Sequence, residues 1–245
     1  MKVVATIEAR MTSSRCPGKV LRPLFGEPML ARIVERVRRA RSVDEVVVAT
    51  TVNATDDPIA HLAKTLHVAC FRGSEEDVLG RVLGAARSVS ADTIVEITGD
   101  CPLADAEVID RLVGRFREGG ADYVANILKR TYPAGIDTQV FATEVLARAD
   151  DLGKDAAHRE HVSLFIYQHP ELFRLANVES GLHDRYADLW FTVDYPAEVE
   201  NVSKIYEALS PGNPAFALAD VLHFLDEHPE LLPLFTTRPR AKSVW

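Results

Sequence analysis

The chain has 245 residues, with 28 Lys and Arg against 36 Asp and Glu, a formal charge of −8, 47% apolar and 26% charged residues. That balance belongs to a globular chain and excludes a disordered or collagen-like one, and the length fits a single α/β domain over 1–245 with an ample core. The acidic total argues against a protein that coats nucleic acid or inserts into an anionic membrane through bulk charge.

Short β-branched runs alternate with longer amphipathic ones through the first half. Val3–Ile7 predicts a strand, and Met29–Arg41 a helix with Leu30, Ile33, Val34 and Val37 on one face. Glu45–Thr50 predicts a second strand, and Asp57-Pro58 opens a helix to Leu66, with proline at the first helical position. His67–Phe71, Thr93–Thr98 and Asp122–Asn126 complete the strands, separated by helices over Glu75–Ser88 and Asp105–Glu118. Strands with so little polar alternation are buried on both faces. The fold class expected is therefore α/β, a doubly wound and mainly parallel sheet.

After Asn126 the rhythm changes. A loop over Lys129–Asp137 precedes a strand at Thr138–Phe141 and helices over Thr143–Asp150 and Ala156–His169. Further strands are expected at Phe173–Val178 and Leu189–Val193, then helices over Pro196–Leu209 and Phe216–Glu227, and a loosely ordered tail from Thr236 to Trp245. Residues 129–185 look like an inserted α+β excursion from the sheet, a subregion for substrate or dimerisation. Leu164, Phe165 and Tyr167 give it an apolar face that a homodimer contact would bury. The opening residues are apolar for too short a run to be a signal peptide, and Cys16, Cys70 and Cys101 form no framework, so a cytoplasmic location is expected.

Charge is unevenly placed. Residues 10–41 hold nine basic residues against two acidic ones, which marks a place for an anion. In open α/β sheets ligands bind beyond the carboxyl ends of the strands. The loop after the first strand, Ala9-Arg10-Met11-Thr12-Ser13-Ser14-Arg15-Cys16-Pro17-Gly18-Lys19, lies at such an end. Its amides, hydroxyls, two guanidinium groups and one lysine suit a triphosphate. Ser13 and Val20 stand where a P-loop needs glycine and a hydroxyl, and no Gly-x-Gly-x-x-Gly occurs. Asp100, in Thr98-Gly99-Asp100-Cys101-Pro102-Leu103, and Asp194, before Tyr195-Pro196, stand at two further strand ends. Either alone reads as a helix cap, as Asp105 does; together, and beside the basic loop, they suit Mg²⁺. Six arginines from Arg22 to Arg41 need no ligand, and Arg32, Arg36 and Arg39 read as a solvated helix face.

The loop Ala9–Lys19, the run Phe71–Leu79, the turn Thr98–Leu103 and Val193-Asp194-Tyr195-Pro196 resemble, in order, the cytidylyltransferase family, which activates acylneuraminate and 3-deoxy-octulosonate sugars. Arg130–Asp137 and Arg159-Glu160-His161-Val162 resemble its branch named after the spore coat polysaccharide biosynthesis protein SpsF. The resemblance implies a nucleotide-diphospho-sugar transferase-like fold and transfer of NMP from NTP to a sugar or sugar acid, with release of pyrophosphate, for surface glycan biosynthesis. It implies a nucleotide-binding set of Ala9, Arg10, Ser13, Ser14, Arg15, Lys19, Arg72 and Ser74, with Arg72 beside the base or ribose. Arg15, Lys19 and Asp100 become the catalytic residues, and Asp100 and Asp194 the Mg²⁺ ligands. Asp137, Glu160 and His161 become candidates for the sugar. CTP is the expected triphosphate.

Two departures bear on this. Sugar-acid members usually carry Gln or another neutral polar residue where this chain has Glu8, and a carboxylate there facing the base brings in GTP as rival. Thr192 stands where those members place a second acid near the metal. A guanylyltransferase, a glycosyltransferase of the same fold and a non-catalytic nucleotide-binding partner protein remain the alternatives. His158 and His161 share a helix face without a third ligand at metal spacing.

Overall fold

The computed structural model describes residues 1–236. Seven strands form the main sheet: β1 (Val3–Glu8), β4 (Glu45–Thr51), β5 (Ala69–Gly73), β6 (Thr93–Thr98), β7 (Tyr123–Ala125), β8 (Gln139–Ala142) and β9 (Leu175–Asn177). A two-residue pair, β2 (Pro23–Leu24) and β3 (Glu27–Pro28), makes a separate hairpin. The helices are α1 (Met29–Val37), α2 (Asp57–Thr65), α3 (Val78–Ser88), α4 (Ala106–Arg117), α5 (Thr143–Leu152), α6 (Ala156–Glu160), α7 (Leu164–Gln168), α8 (Pro196–Leu209), α9 (Leu218–Glu227) and α10 (Pro233–Thr236).

Strand order is β5-β4-β1-β6-β8-β7-β9. β1, β4, β5 and β6 run parallel to their neighbours among themselves, and β8 lies antiparallel to both β6 and β7. The sheet is thus α/β and mainly parallel, and each of its faces is covered by helices. Period-two alternation divides β1 between two cores. Val3, Ala5 and Ile7 join residues of α1, α2, α4, α8 and α9, while Val4 joins residues of α3, α5 and α7.

The connection from β1 leads outward through β4 to β5, then returns to place β6 on the other side of β1. The crevice between the carboxyl ends of β1 and β6 is therefore the switch point of the sheet, where connections leave in opposite directions and a ligand has room.

Several expected elements differ. Residues 129–185 do carry α and β elements, but β8 and β9 are strands of the main sheet rather than an excursion from it; β8 wedges between β6 and β7. Phe165 is buried in the α3-side core of the single chain with Tyr167 packed against it, and Leu164 is buried too, so the chain itself covers the apolar residues that suggested a dimer contact. The helix expected over 156–169 is two short ones, broken at His161-Val162-Ser163, where the Ser163 hydroxyl donates to Gln139 Oε1 at 2.5 Å. Leu189–Val193 is extended but forms no strand: Trp190 makes one isolated bridge to Ala134, and Val193 N–H donates to the Asp100 carbonyl at 2.8 Å. α3 begins at Val78, not Glu75, because the Asp77 carboxylate accepts from Gly80 N–H at 2.9 Å and caps it. Of the tail expected to be loose, Thr236 closes α10 and the rest lies outside the described residues.

Candidate active site

Arg32 on α1 and Arg39 just past its end both pair with Glu35, but they are partly buried rather than solvated, donating also to the carbonyls of Leu24, Phe25 and Pro214. Arg36 is buried: its guanidinium donates to the Ala104 carbonyl at 2.7 Å and lies over the Phe216 ring, tying α1 to the loop after β6. None of these reaches the switch point. The residues that do come from the loop after β1. Gly18 takes the left-handed conformation (φ 71°) and its N–H donates to the Met11 carbonyl at 2.9 Å, closing the loop on itself. Buried Val20 then anchors the turn Lys19–Leu21 and leaves the Lys19 side chain directed inward.

Lys19 Nζ is the hub. It donates to Asp100 Oδ2 at 3.1 Å, to Asp194 Oδ1 at 3.3 Å and to the Val193 carbonyl at 2.7 Å. Its side chain and that of Asp194 are each 11% exposed, and Asp100 is 27% exposed. Burial works against the Lys19 charge, but Asp100 and Asp194 together outweigh it and hold the ammonium above its ordinary value. Arg15 donates to Asp194 Oδ1 at 2.7 Å from the rim, with its guanidinium 5.8 Å from the Tyr195 ring centre, and the Asp194 hydrogen bond raises it too. Asp100 is oriented by Thr98, whose hydroxyl donates to Oδ1 at 2.6 Å.

Asp194 is not the cap of α8. Glu198, one turn into the helix, accepts from the N–H groups of Asp194 and Tyr195 at 2.5 and 2.9 Å, which leaves the Asp194 carboxylate for Lys19 and Arg15. Asp105 is the cap it resembles, accepting from Glu107 and Val108 N–H at 3.0 and 3.1 Å. Thr192 accepts from the Trp190 indole and stands apart from this cluster.

The other half of the loop is held on the β4 side. Buried Asp56 accepts from Met11 N–H at 2.8 Å and from the Thr51 hydroxyl at 2.6 Å. Glu75 gathers Arg10 at 3.4 Å, the Thr12 hydroxyl, and Asn53 Nδ2 at 2.5 Å. Arg72 lies two strands from β1, roughly 10 Å away at the usual strand spacing, and donates to the carbonyls of Thr51 and Asn53, both at 2.8 Å. Ala9 extends β1 through its N–H to Ala49 at 3.2 Å; Ser14 and Ser74 are exposed and Ser13 is half-buried. Arg15, Lys19, Asp100 and Asp194 are thus brought into contact, Arg10 pairs with Glu75, and Arg72 and Ser74 are not brought into contact with the Lys19 cluster.

Asp137 is paired with Arg130 at 2.8 and 3.3 Å, and its charge reaches Cys101 and Tyr123, on the Asp100 side of the crevice. Glu160 is exposed at the end of α6, and His161 begins the break that carries Ser163 to Gln139. Glu8, expected to face a base, faces α3 instead. Its Oε1 is buried without a hydrogen-bond partner, and burial pushes the carboxyl up to about 8 against the pull of Arg81, with Asp100 adding to the rise. Asn53, Glu75, Thr98 and Glu198 are the site residues that motif reading passes over. Of these, Glu198 carries a signal, an acid three residues beyond the Tyr195-Pro196 helix start.

Mg²⁺ takes one or two carboxylates and completes its shell with water and substrate phosphate oxygens. Asp100 and Asp194, both within 3.3 Å of one ammonium nitrogen, fit that donor set. Among the described residues no group of three or more metal-ligating side chains forms a protein-only metal cage, and no helix is long and apolar enough to cross a membrane.

A family model described as Cytidylyltransferase matches residues 4–213. The spore coat polysaccharide biosynthesis protein SpsF of Bacillus subtilis is 31% identical over 93% of this chain and 95% of its own length. A 3-deoxy-manno-octulosonate cytidylyltransferase of Anaeromyxobacter is 34% identical over 74% of this chain and 78% of its own. A cytidylyltransferase from Leptospira borgpetersenii superposes with a TM-score of 0.89 at 29% identity, covering 97% of this chain and 99% of that one.

Proposed function

The chain belongs to the cytidylyltransferase family, a family of enzymes, and from that premise we propose that it transfers CMP from CTP to a sugar with release of pyrophosphate, in polysaccharide biosynthesis. The observation that carries this is the Lys19 ammonium held between Asp100 and Asp194 at the switch point of the sheet, with Arg15 at its rim.

The residues divide the work by position. The hydroxyls of Ser13 and Ser14 bind phosphate oxygens, and Arg10 and Arg15 grip them from the rim. The acceptor oxygen forms a bond to the α-phosphorus while the bond from that phosphorus to the pyrophosphate oxygen breaks. Negative charge grows on the leaving phosphates, and the Lys19 ammonium neutralises it, turning from the carboxylates that hold it here toward the phosphate oxygens. Asp100 and Asp194 would hold Mg²⁺, which supplies neutralisation of the phosphate charge when bound. Glu198 and Thr98 orient those two carboxylates. A carboxylate facing the base was the reason to weigh GTP; Glu8 lies buried beside Arg81, which favours CTP.

Pyrophosphate release, measured with each of the four triphosphates against neutral sugars, amino sugars and sugar acids, tests the reading. CTP supports turnover, and omission of Mg²⁺ or Asp100→Asn abolishes it. A CTP-induced thermal shift that is the same with and without Mg²⁺ removes the metal assignment, and preference for another triphosphate removes CTP.

A further inference from the structure

Asp100 follows the end of β6 and Asp194 the end of an extended run far along the chain, so no local geometry sets the distance between the two carboxylates that share Lys19. The turn after β6 is closed by its own backbone. Cys101 N–H donates to the Thr98 carbonyl at 3.2 Å and Ala104 N–H to the Cys101 carbonyl at 3.0 Å. The carbonyls of Asp100, Pro102 and Ala104 accept instead from outside the turn: from Val193 N–H at 2.8 Å, the Tyr206 hydroxyl at 2.6 Å and the Arg36 guanidinium at 2.7 Å.

Two of those three donors belong to one piece of chain. Val193 leads through Asp194 into α8, whose Glu198 accepts from the N–H groups of Asp194 and Tyr195. Tyr206 stands further along the same helix, about 12 Å from Glu198 at the usual helical rise. One rigid element therefore grips the backbone beside Asp194 at its start and the backbone beside Asp100 along its length. Tyr206 is 3% exposed, with its ring edge-on to Phe216 at 5.2 Å and the Arg32 guanidinium over it at 5.7 Å, so packing fixes where the hydroxyl points. The bond to Pro102 is buried, and loss of the hydroxyl leaves that carbonyl unpaired, which the turn relieves by shifting.

We infer that α8 sets the separation of Asp100 and Asp194, and that Tyr206 is a positioning residue for the metal, acting on Asp100 through the Pro102 carbonyl. This rests on the Mg²⁺ reading above and deepens it. Mg²⁺ demands near-octahedral geometry with oxygens at about 2.0–2.1 Å, so a displaced carboxylate holds it less tightly. Thr98 fixes the rotation of the Asp100 carboxylate, whereas Tyr206 fixes the backbone that carries it.

Tyr206→Phe removes the hydroxyl and keeps the ring. Its companion is Ile166→Val, a fully buried truncation in the core on the other face of the sheet, whose cost in stability is similar to that of one lost hydrogen bond. Without metal or nucleotide, amide hydrogen exchange over 98–104 quickens at least fivefold in Tyr206→Phe and not in Ile166→Val. With CTP, the Mg²⁺ concentration that gives half of the metal-dependent thermal shift rises at least fivefold in Tyr206→Phe and stays within twofold of wild type in Ile166→Val. In an Asp100→Asn background, loss of the hydroxyl changes that concentration less than twofold, because it acts through the carboxylate already removed. Half-saturation or exchange unmoved by Tyr206→Phe, in a protein whose CTP shift does depend on Mg²⁺, overturns the inference and leaves nucleotidyl transfer standing. So does an equal rise in Ile166→Val, or a full effect in the Asp100→Asn background. A wild-type CTP shift indifferent to Mg²⁺ instead removes the metal assignment itself, and this inference with it.

Discussion

Replacing Glu8 by glutamine makes the protein less sensitive to alkali, and the size of the effect follows from where the carboxyl lies. In the folded chain it titrates near 8 against an ordinary 4.5, mainly because it is buried. Between those two values the folded state keeps a proton that the unfolded state has released. Stability therefore falls as pH rises through that window, by about 1.4 kcal/mol per unit where the difference is complete, and levels off above the folded value. Over the window the loss is on the order of 5 kcal/mol, a large share of the roughly 5–15 kcal/mol that holds a domain of this kind together. Asp77 and Asp122 shift the other way, so their contribution is lost only as pH falls below the ordinary carboxylate range.

Urea unfolding followed by circular dichroism at pH 5, 6, 7, 8 and 9 reads this directly. Wild type loses stability steadily from pH 5 to 8. Glu8→Gln loses less over the same range, and the double variant Glu8→Gln, Glu96→Gln is flatter still, because burial raises the Glu96 carboxyl as well. A wild-type curve that rises from pH 5 to 8, or a Glu8→Gln curve parallel to it, refutes the assignment of Glu8 as a buried, protonated acid.

Lys19→Ala leaves Asp100 and Asp194 facing each other without their shared cation, and costs about 3 kcal/mol in urea unfolding at pH 7. CMP transfer falls at least a hundredfold in the pyrophosphate assay, as removal of one preorganised donor to developing charge does. Gly99→Ala places a methyl 2.2 Å from the Glu8 carbonyl oxygen and forces β1 and β6 apart at the crevice; it lowers Tm by several degrees, and an unchanged Tm contradicts the packing. Glu198→Ala removes the acceptor of two N–H groups at the start of α8, costs about 1 kcal/mol in urea unfolding and weakens Mg²⁺-dependent CTP binding by freeing Asp194.

The parallel strands were legible because Val3–Glu8, Glu45–Thr51 and Thr93–Thr98 are buried on both faces and so are apolar without alternation. Asp100 and Asp194 were legible because each lies where a strand or extended run ends, and Lys19 because it closes the basic loop that follows β1. The placement of β8 was not: Gln139-Val140-Phe141-Ala142 reads the same as an edge or an inner strand, and its neighbours are fixed only when the chain returns from β7. The extended run before Asp194 was over-read as a strand for a related reason. Its anchors, Asp100 and Ala134, are distant in sequence, and periodicity carries no information about them.

Glu96 is the instructive residue. A charged side chain between Val95 and Ile97 breaks the apolar run of β6, and local pattern alone offers no reason for it. The sheet supplies one. Glu96 lies between Thr6 of β1 and Gln139 of β8, its two register partners, on the face that also carries Glu8. Burying a carboxyl there costs stability, and hydrogen bonds with Gln139 and Ser163 offset part of that cost. A strand that needed only to pack would carry valine at this position. The residue that violates the strand's own rule is explained by a polar group on β8, Gln139, itself held by Ser163 and Tyr123, and all three are too distant in sequence for any local pattern to announce.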